Sequence, residues 1–173
     1  AIILQGIWGS QLLWIIAIFI YYIIAIPVVS IIQKIKYHDK FVGKEKLKPY
    51  RKTGYFLYGN HTRVSGDAFG PCMLTFPKKS FTVVSPETVS IKGLGMLIQD
   101  LGATPVPTSV AGMKNFYSAI RELTDKNKVI TIYPEAHIWF LYTGIRPFVD
   151  TSFTYPVKFD KPSFAFTTTY QKR

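Results

Sequence analysis

A histidine and an aspartate lie six positions apart, directly after a short apolar run of the chain. They are His61 and Asp67, and the run before them ends at Tyr58-Gly59. A carboxylate beside an imidazole makes a general base, because histidine titrates near neutral pH and the carboxylate fixes the protonated ring nitrogen. On a regular helix six residues rotate by roughly 600°, so the two side chains would diverge. The pair therefore requires a backbone turn, which Gly59 and Gly66 permit.

The chain around this pair alternates between strand-like and helix-like patterns. Strand-like runs cover residues 55–58, 81–84, 103–106, 128–133, 155–157 and 164–169. Helical spacing covers residues 67–75, 87–101 and a segment after Ser109, whose side chain is a suitable helix cap. This alternation predicts one α/β domain, with a mixed, largely parallel sheet flanked by helices and a site along one sheet edge.

The N-terminal segment, residues 1–33, contains no charged side chain. Within it, residues 11–32 are nearly all large and apolar, and as a helix they would extend about 33 Å, enough to cross a bilayer core. Pro27 could kink such a helix. We therefore expect the domain to be preceded by a membrane-embedded helix. Spanning, re-entrant and in-plane arrangements all remain open.

Basic residues dominate the next segment, residues 34–52. They are Lys34, Lys36, Lys40, Lys44, Lys46, Lys48, Arg51 and Lys52. Cations beside an apolar segment are typical of a juxtamembrane linker and place residues 53–173 on the cytoplasmic face of the cell membrane. They also suit anionic lipid headgroups, although a solvated linker is the alternative. The net charge of +11 is accompanied by no nucleic-acid-binding module, so nucleic acid is not an expected partner.

The length of 173 residues allows one domain with a substantial core and not comfortably two. The single cysteine, Cys72, excludes an intrachain disulfide and is interpreted as a small core residue in a reducing compartment. The chain starts with Ala1 rather than methionine. We expect it to be a piece of a longer protein, truncated at its C-terminus.

Two motifs carry a resemblance to a known family. Asn60-His61 followed by Asp67, and Tyr133-Pro134-Glu135-Ala136 further along, resemble the glycerolipid acyltransferases of the lysophosphatidic acid acyltransferase (1-acyl-sn-glycerol-3-phosphate acyltransferase) type. In that family a His-x4-Asp motif supplies the catalytic histidine and its carboxylate partner. A Phe-Pro-Glu-Gly motif helps to bind the glycerol-phosphate acceptor. The resemblance extends over residues 50 to 165.

The resemblance implies a membrane enzyme of phospholipid biosynthesis. Such an enzyme moves a fatty acyl group from acyl-coenzyme A or acyl carrier protein to the hydroxyl of a lysophospholipid, and needs no cofactor besides that thioester. His61 and Asp67 would be catalytic, while Asn60 and Glu135 would contact substrate. Glu135 could instead pair with a cation.

The sequence departs from the family pattern at three places. Five residues, rather than four, separate His61 from Asp67. Thr108 stands where the family has an arginine that helps to hold the acceptor phosphate, and Ala136 replaces a glycine. We therefore name Arg63 and Arg146, with Thr108, as candidate acceptor-binding residues, although either arginine could simply form an ion pair.

Two other functional classes remain open from the sequence. A membrane-bound lipid-binding protein with a degenerate acyltransferase site would explain the extra residue and the missing arginine. A metal-dependent membrane hydrolase could use His61, Asp67, Glu135 and His137, which are metal-ligating residue types. No two histidines have the close helical spacing of a metalloenzyme motif, and we expect no metal.

Overall fold

The computed structural model describes residues 15–171 apart from residues 17, 65 and 149. Within them five strands form one sheet: β1 (Tyr55–Gly59), β2 (Ser80–Val84), β3 (Ala103–Pro105), β4 (Val129–Ile132) and β5 (Ser163–Phe166). The order across the sheet is β3-β2-β4-β1-β5, and each pairing between these strands is parallel. The predicted α/β class with a single sheet flanked by helices is confirmed, and the sheet is parallel rather than mixed.

Helices connect the strands, because parallel neighbours cannot be joined by a hairpin. The α-helices are α1 (Ile26–Ile35), α2 (Gly66–Thr75), α3 (Pro86–Val89), α4 (Gly95–Asp100), α5 (Val110–Asp125) and α6 (Thr154–Phe159). A π-helix covers Ile20–Ala25, and 3-10 helices cover Lys44–Tyr50 and Asp150–Phe153. The Ser109 hydroxyl accepts the Gly112 N–H at 3.1 Å, so the predicted cap of α5 is confirmed.

Both faces of the sheet are covered. On one face the strands pack against α5 and α6 through Phe56, Tyr58, Ile130, Ile132, Phe116, Ile120, Leu123 and Phe159. On the other face Tyr55, Leu57 and Val129 pack against the first 3-10 helix and α2. A strand buried on both faces is apolar throughout rather than alternating, which explains why β1 and β4 are recognisable in the sequence.

Two predicted elements are wrong. Residues 155–157, predicted as a strand, lie in α6. Pro156 is in the first turn of this helix, where backbone N–H groups have no helical partner, so the proline is tolerated there. The single helix predicted over residues 87–101 is interrupted at Gly93, whose φ of +80° is left-handed and ends the helical path. The apolar residues of this stretch do have helical spacing, but they are divided between the two short helices α3 and α4.

The apolar N-terminal segment is described only in part, since residues 1–14 lie outside the described residues. Helix α1 packs Val29 against Cys72 and Met73 of α2, which makes Cys72 the buried core residue predicted. Among the helices that the structure describes, none is long and apolar enough to cross a bilayer. The membrane-embedded helix therefore stays a prediction.

The basic segment is not entirely a free linker. Leu47 and Tyr50, on the 3-10 helix Lys44–Tyr50, pack against the buried cluster of β1 and β4. The Lys44 Nζ donates to the Met73 carbonyl at 2.6 Å. These contacts join part of residues 34–52 to the α/β domain.

The entry into β1 gives a first testable prediction. A Cβ on Gly54 would lie 1.9 Å from the Thr124 carbonyl oxygen, whereas a Cβ on Gly70, inside α2, would meet nothing within 4 Å. Gly54→Ala should lower the free energy of unfolding by about 1–3 kcal/mol through overpacking. Gly70→Ala should raise it by up to about 1 kcal/mol through helix propensity. Urea unfolding measures both, and a Gly54→Ala protein as stable as the parent would contradict this packing.

Candidate active site

The site lies where β1 and β4 end side by side. Tyr58 of β1 pairs with Ile132 of β4, so the residues that follow the two strands emerge next to each other. His61 follows β1 and Glu135 follows β4. In an open parallel α/β sheet, the carboxyl ends of the strands are where ligand sites form. The two motifs, distant in sequence, are therefore adjacent in space.

One oxygen of Asp67 organises the turn after β1. Its Oδ2 lies 2.8 Å from His61 Nδ1 and accepts the N–H groups of Thr62 at 2.7 Å and Arg63 at 2.8 Å. The Asp67 side chain is almost fully buried, at 2% exposure. Because a buried carboxylate needs hydrogen-bond donors in place of water, these three bonds hold it there. The predicted contact between His61 and Asp67 is confirmed.

This geometry leaves the second ring nitrogen of His61 available. A carboxylate accepts hydrogen bonds and does not donate them, so the 2.8 Å contact assigns the proton to Nδ1. The lone pair of the neutral ring is then on Nε2. Among the described residues no group hydrogen-bonds to Nε2, and the His61 side chain is 20% exposed. The pair is arranged as a general base that opens to the surface.

The extra residue between His61 and Asp67 is absorbed by a turn. The Asp67 N–H donates to the Arg63 carbonyl at 3.2 Å, which brings these two residues together. A Cβ on Gly66 would lie 2.3 Å from Arg63 Nε, so glycine allows the guanidinium to pack across the turn. Five intervening residues thus allow the contact between His61 and Asp67.

The sequence reasoning did not identify Tyr133 as a site residue. Its ring stacks on the His61 imidazole, with centroids 4.5 Å apart, and its hydroxyl donates to the Asp67 carbonyl at 2.6 Å. In α2 that carbonyl would normally accept the N–H of residue 71, but residue 71 is a proline. Burial raises the pKa of the Tyr133 phenol well above its usual value, which keeps it a donor. Pro71, four residues after Asp67, indicates from the sequence that the Asp67 carbonyl lacks its helical donor, but it does not indicate which residue replaces that donor.

Glu135 and Arg146 form a buried ion pair beside His61. Glu135 Oε2 accepts from Arg146 Nε at 3.1 Å and Nη2 at 3.0 Å, and from the His61 backbone N–H at 3.3 Å. The exposed fractions of the two side chains are 1% for Glu135 and 11% for Arg146. The structure thus brings Glu135 to His61, and Glu135 pairs with a cation, Arg146, which is one of the two roles that the sequence allowed. Ala136 has a φ of +62°, a left-handed value that favours glycine, so alanine is the costlier residue at this position.

The other candidates make mainly internal contacts. Asn60 donates to the Thr168 carbonyl at 3.0 Å and accepts the Thr168 N–H at 2.7 Å, so its amide holds the segment after β5. Arg63 pairs with Asp39 through Nη1 at 2.8 Å and Nη2 at 2.9 Å. Burial alone would lower the pKa of Arg63, but the hydrogen bonds and charge of Asp39 reverse this and raise it.

Thr108 is the candidate that the structure does not bring to His61. It is exposed in the connection from β3 to α5, and β3 is at the edge of the sheet, separated from β1 by β2 and β4. Within the described residues His, Cys, Asp and Glu form no group of three or more that could hold a metal ion. Comparison of the chain with protein-family models, curated proteins and solved structures gave no match. The site geometry and the two motifs are therefore the observations from which a function can be inferred.

The hydrogen bond from Tyr133 to Asp67 leads to a double-variant prediction. Tyr133→Phe should lower the free energy of unfolding by about 1–3 kcal/mol, because it leaves a buried carbonyl without a donor. In a Pro71→Ala background the new N–H of residue 71 can donate to the Asp67 carbonyl. Tyr133→Phe should then lower the free energy of unfolding by less. Denaturant unfolding of the four proteins measures this. Equal losses in both backgrounds would contradict the assigned contact.

The buried ion pair predicts a second non-additive result. Arg146→Met leaves the Glu135 carboxylate buried and unpaired, which should cost about 3–5 kcal/mol of unfolding free energy. Glu135→Gln combined with Arg146→Met removes the charge and keeps an acceptor for the His61 N–H. We expect the double variant to be more stable than Arg146→Met alone, as measured by urea unfolding. An equally or less stable double variant would show that the pair does not act as described.

Proposed function

We propose that the protein is a membrane-associated O-acyltransferase that carries a fatty acyl group from a thioester to the hydroxyl of a lysophospholipid. The observation that supports it is the 2.8 Å contact between His61 Nδ1 and Asp67 Oδ2, with Nε2 open to the surface. The order of the two acyltransferase-like motifs, and their meeting at neighbouring strand ends, supports the same reaction class. The donor is acyl-coenzyme A or acyl carrier protein, and the acceptor is 1-acylglycerol-3-phosphate.

The chemistry follows from the position of Nε2. An alcohol is a weak nucleophile at neutral pH, so His61 Nε2 removes the acceptor hydroxyl proton as the oxygen attacks the thioester carbonyl carbon. Asp67 keeps the ring in the required tautomer and stabilises the imidazolium that forms. The new C–O bond forms, the C–S bond breaks, and the imidazolium returns the proton to the leaving thiolate. The products are the diacyl lipid and the free thiol, and no acyl-enzyme is required.

Recognition of the acceptor phosphate is assigned to Arg146 rather than Arg63. Both terminal nitrogens of Arg63 face Asp39. Arg146 uses Nε and Nη2 for Glu135, and no hydrogen bond within the described residues involves its Nη1. A guanidinium with one free nitrogen beside the base can meet a phosphate oxygen while Glu135 fixes its orientation. In this proposal Glu135 acts on substrate through Arg146 and through the His61 backbone.

A lipid environment is consistent with the surface beside this site. Helix α1 exposes Val28, Ile31 and Ile35, and the exposed Lys34 and Lys36 follow at its C-terminal end. Apolar residues bordered by cations suit a bilayer interface with anionic headgroups. We propose that the domain works on the cytoplasmic face of the cell membrane, where the acyl chains of both substrates partition.

A labelled-product assay tests the function. Purified full-length protein is mixed with vesicles that contain 1-acylglycerol-3-phosphate and with a labelled acyl thioester of coenzyme A or carrier protein. Label should appear in phosphatidic acid. His61→Ala should reduce the rate about a hundred- to ten-thousandfold, which is the usual contribution of a general base. Thin-layer separation of the lipid extract identifies the product.

The matched control is another exposed histidine. His38 has a φ of +53°, so His38→Asn keeps a residue type that tolerates this conformation and should leave the rate unchanged. If His61→Ala transfers label as fast as the parent, the catalytic assignment is wrong. If the parent binds vesicles but transfers no label to any lysolipid, the lipid-binding alternative is favoured.

A further inference from the structure

The connection after Glu135 exposes an unusual number of large apolar side chains. We name residues 137–148 the aromatic loop; its exposed members are Ile138, Trp139, Phe140, Leu141, Tyr142, Ile145 and Phe148. Phe140 is 71% exposed, Ile145 62% and Trp139 53%. Arg146 is the only Asp, Glu, Lys or Arg in the loop, and it is paired with Glu135. A contiguous apolar surface of this kind marks an interaction site.

The aromatic loop is held firmly against the catalytic turn. The Trp139 N–H donates to the His61 carbonyl at 3.1 Å, and the Leu141 N–H donates to the Thr62 carbonyl at 3.0 Å. The Arg146 guanidinium lies 4.6 Å from the centre of the Trp139 ring. The exposed side chains are therefore presented by a fixed backbone rather than by a free segment.

The aromatic loop contains a turn with one residue in a strained backbone conformation. Tyr142 N–H donates to the Trp139 carbonyl at 3.0 Å, so residues 139–142 form a turn with Phe140 and Leu141 at its centre. Leu141 has a φ of +58°, a left-handed conformation that costs a residue with a Cβ about 1–2 kcal/mol. Strain of this size persists only where the surroundings enforce it, and it often accompanies function.

We infer that the aromatic loop inserts into the lipid bilayer interface and, together with α1, positions the His61 site at the membrane surface. Tryptophan and tyrosine favour the headgroup level, and phenylalanine and isoleucine favour the acyl-chain boundary, which is the composition of this loop. This inference rests on the proposed function for the identity of the partner, since a lysolipid acceptor is supplied from a bilayer.

Charge and position favour a bilayer over a second copy of the chain. The protein carries a net charge of +11, which attracts anionic lipid and opposes self-association. The segment that follows α1 also reaches the catalytic turn, because Asp39, four residues after the helix ends, pairs with Arg63 at 2.8 Å. The segment after α1 and the aromatic loop are thus both bonded to residues 61–63, and the inference places α1 and the loop at one lipid surface.

Tryptophan fluorescence tests the inference without requiring turnover. The chain has three tryptophans, and Trp8→Phe with Trp14→Phe leaves Trp139 as the single reporter. We expect vesicles of phosphatidylethanolamine and phosphatidylglycerol to shift Trp139 emission to the blue, and brominated acyl chains to quench it. Phe140→Ser should weaken vesicle partitioning about tenfold, because it removes a large exposed apolar side chain that would be buried in the bilayer on insertion. Val157→Ser, at an 81% exposed apolar position on α6, is the matched control and should change partitioning little.

Three results would overturn the inference. The first is a protein that sediments with vesicles while Trp139 is neither shifted nor quenched. The second is no vesicle binding at all. The third is a blue shift of Trp139 emission that grows with protein concentration in the absence of lipid, which would show that the loop contacts a second copy of the chain. If Trp139 is quenched but the protein yields no labelled lipid, only the acyltransferase proposal is refuted. If labelled lipid forms but Trp139 is not quenched, only the proposed insertion of the aromatic loop is refuted.

Discussion

A single carboxylate oxygen holds the turn on which this site depends. Oδ2 of Asp67 receives the N–H groups of Thr62 and Arg63 together with Nδ1 of His61. Without that acceptor, two backbone donors of a buried turn would lose their partner, and the imidazole would lose its orientation. The same charge holds the turn together and, in the proposed mechanism, also fixes the tautomer of the base.

The neighbouring strand secures the histidine from other directions. Tyr133, directly after β4, stacks on the imidazole and supplies the donor that Pro71 denies to the start of α2. Glu135, two residues later, accepts the backbone N–H of His61 and is itself neutralised by Arg146. The ring plane, the backbone and Nδ1 of His61 are each fixed by a different partner. Such preorganisation would hold Nε2 in one position relative to the hydroxyl of the proposed acceptor.

The sequence predicts the parts of this arrangement that are local or continuous. Strands β1 and β4 are recognisable because burial on both faces leaves runs of aromatic, aliphatic and β-branched residues. The contact between His61 and Asp67 is predictable because both residues belong to one turn with glycines in it. Residues 155–157 are predicted as a strand because tyrosine and valine have high strand propensity, but they lie in the helix Thr154–Phe159, whose Phe159 packs into the core.

The remaining contacts depend on the order of strands across the sheet. Nothing in the spacing of Tyr133 and Asp67 indicates that β4 lies beside β1, so the hydrogen bond between them could not be foreseen. For the same reason, Arg63 and Arg146 could be named as cations near the site, but not matched to Asp39 and Glu135. The separation of Thr108 from His61 likewise follows from the edge position of β3.

The tautomer of His61 is the most direct test of its proposed role as a general base, because that role requires a protonated Nδ1 and a free Nε2. The protein contains three histidines, so nitrogen-15 NMR of the imidazole rings can resolve His61 after His38 and His137 are assigned by substitution. We predict that neutral His61 carries its proton on Nδ1 and that Asp67→Asn disturbs this state. A ring protonated on Nε2, or one indifferent to Asp67→Asn, would contradict the proposed base.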